Sequence, residues 1–162
     1  MGSYLKAGDT ISGQEAVAKM TIKNPDGSTT LEDMFYAKDL EAKVSVDKTD
    51  VKTLGKRGTQ HKPNGWSGSG DMTIYYVTTT FRKMIVEYIK KGTPVFFDIS
   101  VTNDDPASSI GAQTTVLKDC SLDEVVVAKF DTDNDVLDES VSFTFEDVDI
   151  LDEFGVPTSF GA

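Results

Sequence analysis

The chain is short of the residues that most often carry chemistry. Its 162 residues include one cysteine, Cys120, one histidine, His61, and one tryptophan, Trp66. A lone cysteine excludes an intrachain disulfide and makes a reducing interior the natural place of folding. A lone histidine excludes a multi-histidine metal centre. A Cys120–His61 nucleophile pair is conceivable, but the acidic run Asp119-Cys120-Ser121-Leu122-Asp123-Glu124 opposes thiolate formation. No stretch approaches the roughly 20 apolar residues of a membrane span, and MGSYLKAGDTISG at the start holds no signal-like apolar run. The expectation is no membrane insertion, with release by lysis or a signal-free route.

Basic residues run out along the chain. Through residue 91 there are 14 Lys and Arg against 11 Asp and Glu; beyond it only Lys118 and Lys129 stand against 16 acidic residues, and the whole carries −11. The plain reading is a soluble acidic protein. The sharper one is an anionic surface and a neutral to basic one on the same molecule, which attracts copies head to tail and disfavours binding to nucleic acid. The hydrophobic fraction of 38% suggests a thin two-layer core, or one completed by neighbouring chains. The length fits a single domain, 1–162, and neither a repeat nor a domain boundary is visible.

Periodicity supplies most of the fold. Ala16, Ala18, Met20 and Ile22 alternate with polar or exposed positions, Asn24-Pro25-Asp26-Gly27 makes a turn, and the chain returns through Met34-Phe35-Tyr36 into Leu40, Ala42, Val44 and Val46, predicting a β-hairpin. Met72, Ile74 and Tyr76 predict a further strand. Phe81, Met84, Ile85, Tyr88 and Ile89 then fall on one helical stripe, with threonines before it and Lys90-Lys91-Gly92 after it, predicting a helix over about 79–91 whose stripe packs on the sheet. Val95 to Val101, Thr114 to Leu117, Val125 to Ala128 and Val141 to Phe145 complete the set, with Val148 and Ile150 as an extension. The chain is therefore expected to be mainly β: a β-sandwich or partly open barrel of about seven strands with one flanking α-helix. Residues 151–162 read as a weakly ordered tail or a docking strand.

One segment resists this pattern. Lys48–Gly70 holds five glycines, Pro63 and the basic residues Lys56, Arg57, His61 and Lys62, and shows no apolar period. Long structureless segments are uncommon in compact domains unless functional or disordered. The expectation is a flexible basic arm that contacts another subunit through Lys56, Arg57, His61, Lys62 and Trp66, ordered from outside the monomer. A nucleic-acid patch and a merely solvated loop are the alternatives. Other motifs are weaker. Asp131-x-Asp133-x-Asp135 opens like a calcium loop but has Val136 and Ser142 where glycine and glutamate are required, so it reads as an acidic turn. Asn103-Asp104-Asp105-Pro106 reads as another turn, and Gly68-Ser69-Gly70 lacks the spacing of a nucleophile elbow or phosphate loop. No cofactor and no enzymatic activity are expected.

The order of features resembles the tail tube proteins of contractile-tailed bacteriophages, defective prophages and phage-tail-like bacteriocins. The resemblance spans roughly residues 8–154: Ile11-Ser12-Gly13, a hairpin, GKRGTQHKPNGWSGSGDMTIYYVT, the helix FRKMIVEYIKKG, PVFFDIS and VSFTFEDVDILDEF. It implies a sandwich-like subunit that forms hexameric rings, stacked into a tube inside a sheath, driven through the host envelope on contraction and passing DNA. The implied partners are further copies of itself, the tail sheath protein, the baseplate and tape-measure proteins, and DNA in transit. The implied location is the virion tail, after synthesis in the host cytoplasm. Since an anionic wall lets a polyanion slide, some of Asp98, Asp104, Asp105, Asp119, Asp123, Glu124, Asp131, Asp133 and Asp135 are expected to face the lumen. The rival readings are a ligand-binding sandwich for carbohydrate or calcium and a secretion-system tube subunit of the same architecture.

Overall fold

Alternating apolar positions become eight antiparallel strands around one core in the computed structural model, which describes residues 4–156. After a 3-10 turn at Ala7–Asp9 come β1 (Ala16–Lys23), β2 (Thr29–Asp33), β3 (Ala37–Val51), β4 (Gln60–Tyr75), α1 (Thr80–Lys91), β5 (Phe96–Asp104), β6 (Ala112–Val125), β7 (Asp138–Phe145) and β8 (Asp147–Asp152). The strand order is β2-β1-β5-β6-β7-β4-β3, with β8 also paired to β6, and the sheet does not close into a barrel.

β6 is the pivot. Its residues 112–120 pair with β5 and 114–118 with β8, whereas 121–125 pair with β7. The strand thus leaves one layer (β2, β1, β5, β8) and enters the other (β7, β4, β3), and β7–β8, broken at Glu146, follows it. The bend falls at Asp119, whose φ of 53° is positive. Asp98, skipped in the β5–β6 register, accepts the Asp119 N–H at 3.0 Å. The Lys23 ammonium lies 2.6 Å from Asp119 and 3.2 Å from Asp98. Those hydrogen bonds, the one to Asp119 first, hold the Lys23 pKa above its ordinary value. In-pointing rows Met20–Ile99–Leu117 and Ile22–Phe97–Cys120 of the first layer meet Met72, Ile74, Val141 and Phe143 of the second.

The hairpin expected over residues 16–46 is divided. β2 pairs only with β1, and the chain then changes layer through Met34-Phe35-Tyr36. Met34 and Tyr36 both plunge into the core while Phe35 between them is exposed. Burying both anchors carries the backbone across to the second layer, so β3 pairs with β4 instead.

The Lys48–Gly70 segment is likewise corrected. β3 runs to Val51 and β4 begins at Gln60, so only residues 52–59 lie outside strands. Gly68 and Gly70 occupy in-pointing positions in phase with Met72 and Ile74, and the rings of Phe145 and Phe143 from β7 lie across them. A methyl group at either glycine would collide with the ring. Glycine here admits close approach of a neighbouring aromatic, and the period of two is hidden because β7 supplies the bulk.

α1 matches its expected bounds. Gly92 closes it in the left-handed conformation (φ 68°), its N–H reaching the Tyr88 carbonyl at 2.8 Å. Its stripe is only partly buried: Phe81 and Met84 are in the core, Ile85 is half-buried, and Tyr88 and Ile89 are 54% and 64% exposed. The helix is anchored at its first turn, where Arg82 pairs with the buried Glu139, donates to the Thr78 carbonyl and stacks 4.3 Å from the Tyr76 ring centre. An open gap lined by Met84, Ile85 and Tyr88 on one side and residues 121–123 of β6 on the other leaves the end of the stripe wet. No helix among the described residues is long and apolar enough to cross a membrane. Leu151 and Asp152, counted above in the tail, finish β8, and the Gly155 N–H reaches the Ile110 carbonyl at 2.6 Å; 157–162 lie outside the described residues.

Candidate assembly surfaces

Only Gly68–Tyr75 of β4 pairs with β7, so Ser45–Val51 and Gln60–Ser67 pair with each other alone. At about 3.3 Å per residue this ribbon is roughly 23 Å long. Asn64 is skipped in its register between Asp47 and Lys48, and its side-chain amide donates to Thr49 at 2.5 Å. His61 lies 2.9 Å from Asp50 across the ribbon. Lys56 and Arg57 occupy the terminal turn, and Lys62 follows His61, all exposed. The structure therefore gathers four of the five arm residues towards the tip of one hairpin. Trp66, 45% exposed and with its ring centre 6.3 Å from that of Phe145, sits near the base. On its face Val44, Val46, Pro63, Trp66 and Val148 line an open apolar groove of about 450 Å³.

Cys120 is on no such surface. It is fully buried, its thiol donates to the Leu117 carbonyl at 3.6 Å, and burial, assisted by the charge of Asp98, pushes its pKa up to about 12. With His61 paired out on the exposed hairpin, the two cannot form a nucleophile pair.

The second layer offers unpaired backbone at both sides. β3 pairs only with β4, and β6 residues 121–125 pair only with β7. Rows of unsatisfied N–H and C=O groups at sheet edges are templates for strand addition. The outward face between those edges carries Glu41, Asp71, Ser142 and Glu124 in one row and Lys43, Ser69, Thr144 and Ser121 in the next. Ser142 donates to Asp71 at 2.8 Å, and Lys43 lies 3.2 Å from Glu41. Hydroxyls and carboxylates dominate this face.

The nine acids singled out in the sequence fall in separate places. Asp123 and Glu124 are exposed at the end of β6, on the second layer. Asp98 and Asp119 share Lys23 at the β6 bend. Asp104 is exposed at the end of β5, while Asp105 is buried and accepts the N–H groups of Ser12 and Ala107, each at 2.9 Å. Asp131, Asp133 and Asp135 belong to the 126–137 loop, where Asp131 accepts the Asp133 N–H at 3.0 Å and the Asn134 amide at 2.9 Å. Sequence reasoning missed Glu139 and Arg82. The signal was Glu139 standing in phase with Val141, Phe143 and Phe145.

Residues 3–152 match the family described as phage tail tube protein. The chain belongs to this family. Among curated relatives from Bacillus subtilis strain 168, the phage-like element PBSX protein XkdM is 38% identical over 146 residues, covering 90% of this chain and 93% of XkdM. YqbM is 37% identical over 149 residues, covering 92% and 95%. Among solved structures, a chain of the sheath-tube complex of an extracellular contractile injection system, PVC, has a TM-score of 0.65 at 13% identity, covering 89% of this chain and 93% of that one. The SPP1 tail tube has a TM-score of 0.59 at 12% identity, covering 93% and 83%. At such identities these likenesses establish the fold. The tail tube role follows from the family and places the protein among structural components of phage-type tails.

Proposed function

We propose that copies of this chain form hexameric rings which stack into the inner tube of a contractile tail, driven through the host envelope when the sheath contracts and serving as a conduit for DNA. The observation that carries this reading is the second layer: two unpaired edges flank a face of hydroxyls and carboxylates. Strand addition between copies at those edges continues the sheet from subunit to subunit, and a repeated rotation closes it into a ring. The face opposite the core then lines the lumen, with Glu41, Asp71 and Glu124 supplying the negative wall, while Asp123, beside the stripe of α1, is outside it. Asp98 and Asp119, neutralised by Lys23, and Asp105, bonded internally, are outside that wall. The exposed face of α1 and the first layer face outwards, towards the sheath; baseplate and tape-measure proteins are partners at the tube's end and interior. Synthesis in the host cytoplasm and release by lysis complete the reading. It includes no catalytic step.

The test is direct. Electron microscopy of the concentrated protein should show rings or tubes. In a DNA-delivering particle, Asp71→Lys with Glu124→Lys should leave tubes intact but slow DNA passage, with the defect easing as salt is raised. Undiminished delivery through well-formed tubes rejects the lumen assignment, and a persistent monomer rejects the assembly. A DNA-free tube, as in a phage-tail-like bacteriocin, is a variant of the same architecture, which the DNA content of purified particles distinguishes.

A further inference from the structure

The hairpin and the 126–137 loop lie at opposite ends of the second layer. β4 enters the layer from the ribbon at Gly68 and leaves it at Tyr75, where it stands opposite Asp138, the first residue after the loop. The ribbon presents the apolar groove of Val44, Val46, Pro63, Trp66 and Val148, bordered by Lys48 and Lys62 and tipped by Lys52, Lys56 and Arg57. The loop presents the opposite chemistry. Phe130 is 85% exposed, with Val127 and Val136 also turned to solvent, and it is followed by Asp131, Asp133 and Asp135. The loop's own cation, Lys129, is turned back on Asp138, its ammonium 2.6 Å from the Asp138 carbonyl, so it does not offset those aspartates.

We infer that the 126–137 loop of one copy docks on the hairpin of the next, with Phe130 seated in the groove over Trp66 and the three aspartates against the lysines and Arg57 of the ribbon. This rests on the reading of the chain as a self-assembling tube subunit and identifies one contact by which it assembles. The two halves are apolar at the centre and oppositely charged at the rim, the anatomy of a specific interface. Because they occupy different surfaces, the contact is heterologous and propagates head to tail.

The closing experiment uses the full chain. Cys120 is buried, so a Val46→Cys, Phe130→Cys chain carries two accessible thiols. Oxidation of its assemblies should give a covalent ladder, whereas either single variant should give none. Phe130→Glu should raise the concentration needed for assembly by roughly tenfold or more and abolish the blue shift of Trp66 emission on assembly. Asp131→Lys with Asp133→Lys and Asp135→Lys should block assembly at low salt, and adding Lys48→Glu, Lys56→Glu and Lys62→Glu should restore it. Tubes that form without a ladder, or that ignore Phe130→Glu, overturn this contact and leave the tube reading standing. Failure of the charge exchange to restore assembly likewise overturns the contact. A wild-type chain that stays monomeric overturns both.

Discussion

Removing the guanidinium of Arg82 should destabilise the subunit more than any surface change, because of what it leaves behind. The Glu139 carboxylate is wholly buried and the Arg82 side chain is only 13% exposed. Arg82 also holds the Thr78 carbonyl and stacks on Tyr76. Breaking a buried ion pair by deleting one partner costs about 3–5 kcal/mol, since an uncompensated charge remains. For a domain stable by about 5–15 kcal/mol, Arg82→Met therefore forfeits a large share of the total. The melting temperature should fall by roughly 6–20 °C, using about 2–4 °C per kcal/mol for a chain of this size. Urea unfolding at concentrations low enough to keep the chain monomeric should show the midpoint falling with an unchanged slope. Arg82→Met with Glu139→Leu should recover most of the loss, because two apolar side chains need no pairing. A single-variant cost below about 1 kcal/mol, or no recovery in the double variant, would show that the pair is effectively solvated and that α1 is held by Phe81 and Met84 alone.

Three further outcomes follow from the same structure. Gly70→Ala should destabilise by about 1–3 kcal/mol through collision with the enclosed Phe143 ring, measurable by chemical unfolding, while Gly65→Ala, with only an aspartate tip in contact, should be far milder. Met84→Ala should cost about 2–5 kcal/mol, but Ile89→Ala less than about 0.5 kcal/mol, a contrast that thermal unfolding of the two variants reads directly. Cys120, raised from its ordinary 9.0 to about 12, keeps its proton in the folded chain over a pH range where the unfolded chain has lost it. Its contribution to stability therefore falls as pH rises from about 9 towards 12, by at most about 1.4 kcal/mol per unit, and Cys120→Ala should flatten that part of the profile.

The sequence alone determined what depends on local chemistry. The stop of α1 was legible because Lys90, Lys91 and Gly92 act within one turn. Met20–Ile22, Phe97–Ile99 and Val141–Phe145 were legible as strands because each carries its own in-pointing side chains, and the scarcity of cysteine and histidine was plain from composition. The order of motifs also identified the family. What the sequence left to the tertiary structure depends on residues far apart. The inward positions of β4 hold Gly68 and Gly70 because rings from β7 fill their space, so a paired strand read as an aperiodic arm. The exit of β3 to the second layer depends on where Met34 and Tyr36 find a core, and the exposure of Tyr88 and Ile89 on how the end of α1 sits against β6. Glu139 was tolerable inside only because Arg82, far away in sequence, reaches it. Charge asymmetry was countable from composition, but its division into a basic ribbon at one end, an acidic loop at the other and neutralised pairs between them was set by the path of the chain through two layers.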